Sequence, residues 1–430
     1  MKNLFRKASL AAAALCLLLL CGCSGGSAAV DELLRAPRLT GEYGDVKEAL
    51  DTALGENTQL KYPYSGDFLS PYHTGDWDGD GTADVAVLYQ TSQSPNVCLA
   101  VLQRDEVGAW QLRGTVEGLS STVESVSLVQ LQGAGTDQLL VAYTAQGQPY
   151  LAVYAWQQGE LKIILQKTYT QYLIADVTGS GADDLVLLNR DAAAEKLQIQ
   201  LLTASADGFS AVQSPALPPE KFSGVAAISA GVGADGRTYL VLDGWTGSSG
   251  SNLASVMYYY DAETGRLKQA VLPDEQDLYT VSHRRSGILT SRDLNDDGAV
   301  EIPTQPEQPG QLNLCQNHRV SFVVWWDYTA ETPQKSFGIL DEEYGYYLQL
   351  PAEWQGNLML VDGEEPGSIQ LRTLMGDEVY LTLRVIDPTT ADGIGWTRLR
   401  TIAAKHVQIR LGSAAGEWTT TYFIRGTYLL

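Results

Sequence analysis

Asp76-Trp77-Asp78-Gly79-Asp80-Gly81-Thr82-Ala83-Asp84 runs straight into the apolar Val85-Ala86-Val87-Leu88. Carboxylates stand at the first, third, fifth and ninth loop positions, and a glycine at the sixth. Alternate side chains of a tight loop converge on one point, and the glycine permits the turn that closes it. A hard cation such as Ca²⁺ takes about six to eight oxygens, and carboxylates supply both the oxygens and the charge. The apolar run that follows reads as a buried strand.

The spacing recurs along the chain. Asp293-Leu294-Asn295-Asp296-Asp297-Gly298-Ala299-Val300-Glu301 keeps oxygen ligands at Asp293, Asn295, Asp297 and Glu301. Asp176-Val177-Thr178-Gly179-Ser180-Gly181-Ala182-Asp183-Asp184 keeps two carboxylates, Asp176 and Asp184, and two hydroxyls, Thr178 and Ser180. Two copies without the acidic set lie at Gln130 to Gly135 and Gly231 to Gly236. The shared glycines are Gly81, Gly135, Gly181, Gly236 and Gly298, with successive separations of 54, 46, 55 and 62 residues. Periods near or above about 50 residues mark blade-like repeats. No helical pattern follows the loops, and Val87 stands where an EF-hand carries its bidentate glutamate.

The loop-then-strand unit resembles the FG-GAP/VCBS-type repeat, the blade unit of integrin-alpha-like β-propellers. The resemblance covers about residues 60–335. It implies a β-propeller-like domain of about five blades, with a cation loop at the start of a strand in each acidic copy. Ca²⁺ is then expected at Asp76, Asp78, Asp80 and Asp84, and at Asp293, Asn295, Asp297 and Glu301. Ligand charge falls at Asp176, Thr178, Ser180 and Asp184, so binding there is expected to be weak.

Between the loops lie hairpin patterns. Val97 to Leu102 turns at Asp105 to Gly108 and returns through Trp110. Tyr150 to Trp156 turns at Gln157 to Glu160, and Met257 to Tyr260 turns at Asp261 to Gly265. Strands of this composition with glycine-bearing turns make four-stranded units. Five such units predict one closed five-unit β structure. Asp45 to Leu54 reads as a preceding helix, with Val46, Ala49, Leu50 and Ala53 on one face, Asp45 as its cap and Gly55 as its stop.

At 430 residues and 44% hydrophobic content, the chain has material for two domains. The net charge of −22 argues against nucleic acid and against electrostatic adsorption to anionic lipid. Five cysteines are present, three of them before residue 24. Cys98 and Cys315 remain in the body, as one disulfide or as two buried thiols.

Residues 1–23 read as a lipoprotein signal peptide. Lys2, Arg6 and Lys7 precede the apolar Leu10 to Leu20, a run too short to span a bilayer comfortably. Leu20-Cys21-Gly22-Cys23-Ser24 resembles the bacterial lipobox, which makes Cys23 the lipidated residue. Residues 24–42 read as a tether. A lipoprotein signal followed by these repeats resembles surface lipoproteins of Gram-positive bacteria and implies an extracytoplasmic, membrane-anchored protein.

The repeat domain is expected over residues 43–340 and a small α+β module over 341–430. Val320 to Tyr328 and Ser336 to Leu340 read as the last strands of the fifth repeat. Tyr344 to Pro351 with Trp354 resembles the opening "YG…LP..W" signature of small modules in other bacterial lipoproteins. Three later stretches, Ile369 to Leu374, Val379 to Ile386 and His406 to Leu411, alternate as half-buried strands.

Catalytic signatures are sparse. The four histidines, His73, His283, His318 and His406, stand in no paired metal spacing, and no GxSxG or SxxK occurs. His73 reads as a solvated loop residue or as a neighbour of the first loop's cation. Trp325-Trp326 and Tyr344 to Tyr347 read as core packing or as a carbohydrate platform. The leading expectation is a non-enzymatic, calcium-stabilised binding or scaffolding protein with a protein or glycan ligand. A polysaccharide-active enzyme on a propeller is the alternative.

Overall fold

Each glycine-marked loop sits where a strand turns back on itself at the head of a sheet. A computed structural model describes residues 41–430 apart from 56–57, 134, 192–195, 206–207, 216, 218–220, 248–249, 273–275, 306–309, 317–318, 376 and 417–426. The expected signal peptide, most of the tether and Cys23 lie outside the described residues. The chain is mainly β, and the described residues form six sheets.

Sheet I holds Tyr72–Gly75, Asp84–Gln90, Cys98–Arg104 and Trp110–Glu117, with the short Gln59–Leu60 beside the second of these. Sheet II holds Val123–Val129, Gln138–Ala145, Gln148–Gln157 and Glu160–Thr168; sheet III holds Gln171–Ala175, Asp184–Asp191, Lys196–Ser205 and Gly208–Gln213. Sheet IV holds Gly224–Val232, Thr238–Thr246, Asn252–Asp261 and Arg266–Gln269. All four are antiparallel meanders in chain order. The two-residue hairpin turns at Gln146-Gly147 and Gln158-Gly159 have positive φ at both positions, the twist-matched geometry for tight hairpins.

The second strand of sheets I to IV is apolar through its middle because both its faces are covered. Asp84 to Tyr89 are all buried. Val126, Leu139, Val141, Leu99 and Val101 fill the space between sheets I and II. Leu140, Val153, Leu185 and Leu187 fill that between II and III. Val186, Ile199, Leu240 and Leu242 fill that between III and IV. Val241, Met257, Val300 and Ile302 continue the sequence from IV to V.

The two ends of this propeller-like stack are covered differently. The helix Glu42–Leu54 lays Val46 and Leu50 against Val85, Val87, Tyr89 and Leu102 of sheet I. It begins three residues before the expected Asp45. Gly41 precedes it with no side-chain cap, so Asp45 lies inside the helix. Gly55 closes it as expected, donating its N–H to the Asp51 carbonyl at 2.8 Å. At the other end, Phe322, Val324, Phe337, Ile339 and Leu348 of sheet V share a core with Leu358, Leu371, Leu383 and Ile409 of sheet VI. Among the described residues the buried clusters run from sheet I through sheet V, and the two end sheets carry the helix and sheet VI.

Sheet V runs in the order Ile302–Thr304, Val320–Trp326, Gln334–Asp341, Tyr346–Gln349, Thr427–Leu429. It therefore crosses the boundary expected at residue 340. Tyr346–Gln349 pairs back on Gln334–Asp341 because Gly345, with φ 62°, completes a tight turn by donating to the Asp341 carbonyl at 2.9 Å. The closing strand Thr427–Leu429 then pairs on Tyr346–Gln349. Sheet VI is thus inserted within sheet V. It also takes Gln311–Asn313 from the fifth repeat, in parallel with Leu358–Asp362. Its helical content among the described residues is two single 3-10 turns, Ala352–Trp354 and Ser413–Ala415.

The long connection between sheets IV and V is fixed by a buried ion pair. Arg284 Nη2 donates to Asp243 Oδ1 at 2.7 Å, with both side chains 0–1% exposed. Ser255 and Ser291 donate to the same carboxylate oxygen at 2.6 and 2.8 Å.

Candidate metal loops and the joints between repeats

In the first loop the backbone folds around its own carboxylates. Asp76 accepts the N–H of Gly79 on one oxygen at 2.8 Å and that of Gly81 on the other at 2.9 Å. Gly79 and Gly81 hold φ of 78° and 83°, the left-handed region that the turn requires. Trp77, buried to 1%, plugs the loop into the core between sheets I and II. The result brings carboxylate oxygens of Asp76, Asp78 and Asp84 within 4.8 Å of one another. Asp80 is not in that group; its carboxylate accepts the Thr82 N–H at 2.6 Å.

The chemistry of this set fits a hard divalent cation. Three carboxylates carry the charge, and the Gln103 amide that reaches Asp78 at 2.8 Å and Asp84 at 3.1 Å is neutral. Burial raises the Asp84 carboxyl to about 6; the Gln103 hydrogen bond opposes this and the Asp78 charge adds to it.

The other two acidic loops make the same backbone bonds and add side-chain donors from within the loop. In the third, Asp176 accepts the N–H groups of Ser180 and Gly181 at 2.9 and 2.8 Å. Thr178 turns its hydroxyl onto Asp184 at 2.9 Å. In the fifth, Asp293 accepts from Asp297 and Gly298 at 3.1 and 2.8 Å. The Asn295 amide donates to Asp297 at 3.1 Å and to Glu301 at 3.2 Å. Lys335 brings its ammonium within 3.7 Å of Asp297 and 3.5 Å of Asp327, whereas among the described residues no ion pair involves the carboxylates of the first loop. Burial raises Glu301 to about 7, helped by the Asp297 and Asp293 charges.

The loops also fasten each repeat to its neighbour. The residue at position eight of one loop clasps the residue at position one of the loop before it. Asp137 accepts the Asp76 N–H at 2.8 Å and donates its own N–H to the Asp76 carbonyl at 2.7 Å. Asp183 does the same to Gln130, at 2.7 and 3.3 Å. Thr238 donates its hydroxyl to the Asp176 carbonyl at 2.7 Å. At the last joint Val232 donates to the Gly298 carbonyl at 2.8 Å. A Cβ on Gly231 would stand 2.8 Å from that same oxygen, which explains why the fourth loop opens on glycine. The available signal was the eighth position itself, which reads Ala83, Asp137, Asp183, Thr238 and Val300.

Other expected features resolve simply. His73 is not a solvated loop residue: it lies in the strand Tyr72–Gly75, 1% exposed. Neither ring nitrogen has a partner there, and burial lowers its pKa to about 4. His406 meets the Thr401 hydroxyl at 3.0 Å, His283 packs edge-on against Tyr279, and His318 lies outside the described residues. Trp325, Tyr346 and Tyr347 are fully buried, so they are core. Cys98 and Cys315 are buried free thiols.

No protein-family model matches the chain, and no curated protein matches it. Among solved structures the chain is similar to the Dos1 propeller, at TM-score 0.30 and 10% identity, over 82% of this chain and 81% of that one. It is also similar to Bacillus licheniformis rhamnogalacturonan lyase PL11, at TM-score 0.31 and 13% identity, over 74% of this chain and 75% of that one.

Proposed function

We propose that the protein is a calcium-stabilised, non-enzymatic binding or scaffolding protein, held outside the cytoplasm by a lipid on Cys23. One observation carries the calcium reading: carboxylate oxygens of Asp76, Asp78 and Asp84 converge within 4.8 Å at the head of a buried strand, and the hydrogen-bond donors that meet them, backbone N–H groups and the Gln103 amide, are all neutral. Asp76, Asp78 and Asp84 would hold the ion, which supplies charge neutralisation and no chemistry. The five-fold recurrence of the loop supports the FG-GAP/VCBS-type reading, and the lipobox-like Leu20 to Cys23 supports the anchor. A stack of rigid repeats offers extended surface to a protein or glycan ligand.

The test is thermal unfolding with EGTA and with excess Ca²⁺, on the parent and on Asp78→Ala. Binding to the folded state adds about RT ln(1 + [L]/Kd) to stability. The parent midpoint should rise with Ca²⁺ and that of Asp78→Ala should not. A parent midpoint indifferent to both additions, with no calcium by elemental analysis, would leave the loop as an acidic turn.

A further inference from the structure

The segment from Lys61 to Pro71 connects two strands of sheet I, bonds across to the edge of sheet II, and carries an unusual surface. Tyr62 is 58% exposed, Tyr64 75%, Phe68 41% and Leu69 55%. This is not a frayed loop. Lys61 donates its N–H to Leu88 at 2.9 Å, Tyr64 to Val123 at 3.1 Å and Ser65 to Glu124 at 2.8 Å. The Ser65 hydroxyl adds a second bond to the Glu124 carbonyl at 3.0 Å. The backbone is pinned at both sheets while the aromatic and aliphatic side chains face water. Contiguous exposed apolar side chains on a rigid surface mark a site of contact.

Two placements identify what they meet. The segment lies at the end of the sheets opposite the acidic loops. Strand Asp84–Gln90 leaves the first loop at Asp84 and pairs at Gln90 with Gln59, just before the segment. Six residue steps along the strand separate the two ends by about 20 Å. The described chain also enters at this same end. Tyr43, in the first turn of the helix, stacks on Tyr72 at 4.7 Å between ring centroids. The Tyr62 hydroxyl is close enough to raise the Tyr72 pKa after burial has done so.

We infer that Tyr62, Tyr64, Phe68 and Leu69 form a contact with the lipid–water interface of the membrane that anchors the chain. This rests on the anchor reading of Cys23. The anchor reading places 18 residues between Cys23 and the helix, and a coil of that length has an end-to-end distance of roughly 23 Å. It holds the entry end of the stack near the bilayer and turns a weak contact into an intramolecular one. Tyrosine, phenylalanine and leucine suit that interface, where an apolar body and a polar tip are both satisfied. The acidic loops are carried on the far end, away from anionic headgroups.

The experiment uses the full chain in isolated membranes, with a nitroxide placed at Tyr64→Cys, at Leu69→Cys and, as control, at Val107→Cys. Val107 is 88% exposed on the turn at the acidic end, and Cys98 and Cys315 are buried. Collisional relaxation is read with oxygen, which dissolves in lipid, and with a water-soluble nickel chelate. The oxygen-to-nickel ratio should be several-fold higher at 64 and 69 than at 107. Membrane-bound protein with equal ratios at all three sites overturns the docking and leaves the anchor standing. Labels at 64 and 69 shielded from both reagents mean that a glycan or protein covers the loop, which also overturns it. A chain absent from the membrane fraction removes the anchor reading, and the docking falls with it.

Discussion

Asp137 grips both backbone groups of Asp76, accepting its N–H at 2.8 Å and donating to its carbonyl at 2.7 Å. The first loop is therefore shaped from outside as well as from within. Gly75 is small for the same reason, since a Cβ there would lie 2.8 Å from the Asp137 carboxylate.

Replacing Asp137 with alanine leaves the Asp76 N–H without its acceptor, and the Gln130 amide as well, which donates to Asp137 at 3.0 Å. A loss of about 1–2 kcal/mol is expected for half-buried groups. The Gln130 backbone is in turn held by Asp183. The two joints share a residue, so Asp137→Ala and Asp183→Ala should combine non-additively, by about 0.5 kcal/mol or more. Urea unfolding of the two single variants and the double variant measures this.

Lys335 acts as a resident counter-ion at the fifth loop. The parent should bind one Ca²⁺ per chain tightly, at the first loop. Lys335→Ala removes the competing charge, so a second equivalent should appear in calorimetric titration. A stoichiometry that stays at one would show that the oxygens of the fifth loop are committed to its own backbone.

Stability without metal should depend on pH in a definite direction. Asp84 and Glu301 have folded pKa values of about 6 and 7, above their ordinary values. The folded state thus holds more protons than the unfolded one in this range, and stability is lost as pH rises through 6 to 7. His73 works the other way: its pKa of about 4 is depressed, so its contribution is lost as pH falls below the ordinary 6.5. In EGTA, urea midpoints should fall from pH 6 to pH 8, and Glu301→Gln should flatten that limb. His73→Phe should flatten the acid limb. An EGTA midpoint rising from pH 6 to 8 in the parent would contradict the assignment.

Arg284→Met should be among the most damaging single changes, because it strands the Asp243 carboxylate in the core. Breaking a buried pair from one side costs about 3–5 kcal/mol. Chemical denaturation checks the magnitude. Proteolysis of the native state should also cut first between residues 282 and 292, which lose their tie to sheet IV.

The loop-and-strand units were legible because two independent signals coincide in each: a glycine at the turn and an apolar run after it. Asp84 to Tyr89 shows both, and the strand lies where they put it. The fourth strand of sheet V was not legible. Tyr346–Gln349 is as apolar as the start of a new module would be, and only its pairing to Gln334–Asp341 tells the two apart. His73 misled for a similar reason: a lone histidine beside an acidic loop reads as wet, whereas strand alternation turns it into the core. Asp137 and Asp183 read as ordinary turn residues, because a side chain serving the neighbouring repeat shows only when the eighth positions of the repeats are compared.

The covers at the two ends of the stack have a consequence for how such a chain can change length. The helix packs on sheet I and sheet VI on sheet V, so each end unit carries its own cover. Every interior unit presents one kind of joint to the unit before it and another to the unit after. Duplication or excision of a unit such as residues 169–223 would leave compatible partners on both sides of the seam, and the copy number becomes open to inheritance and to design.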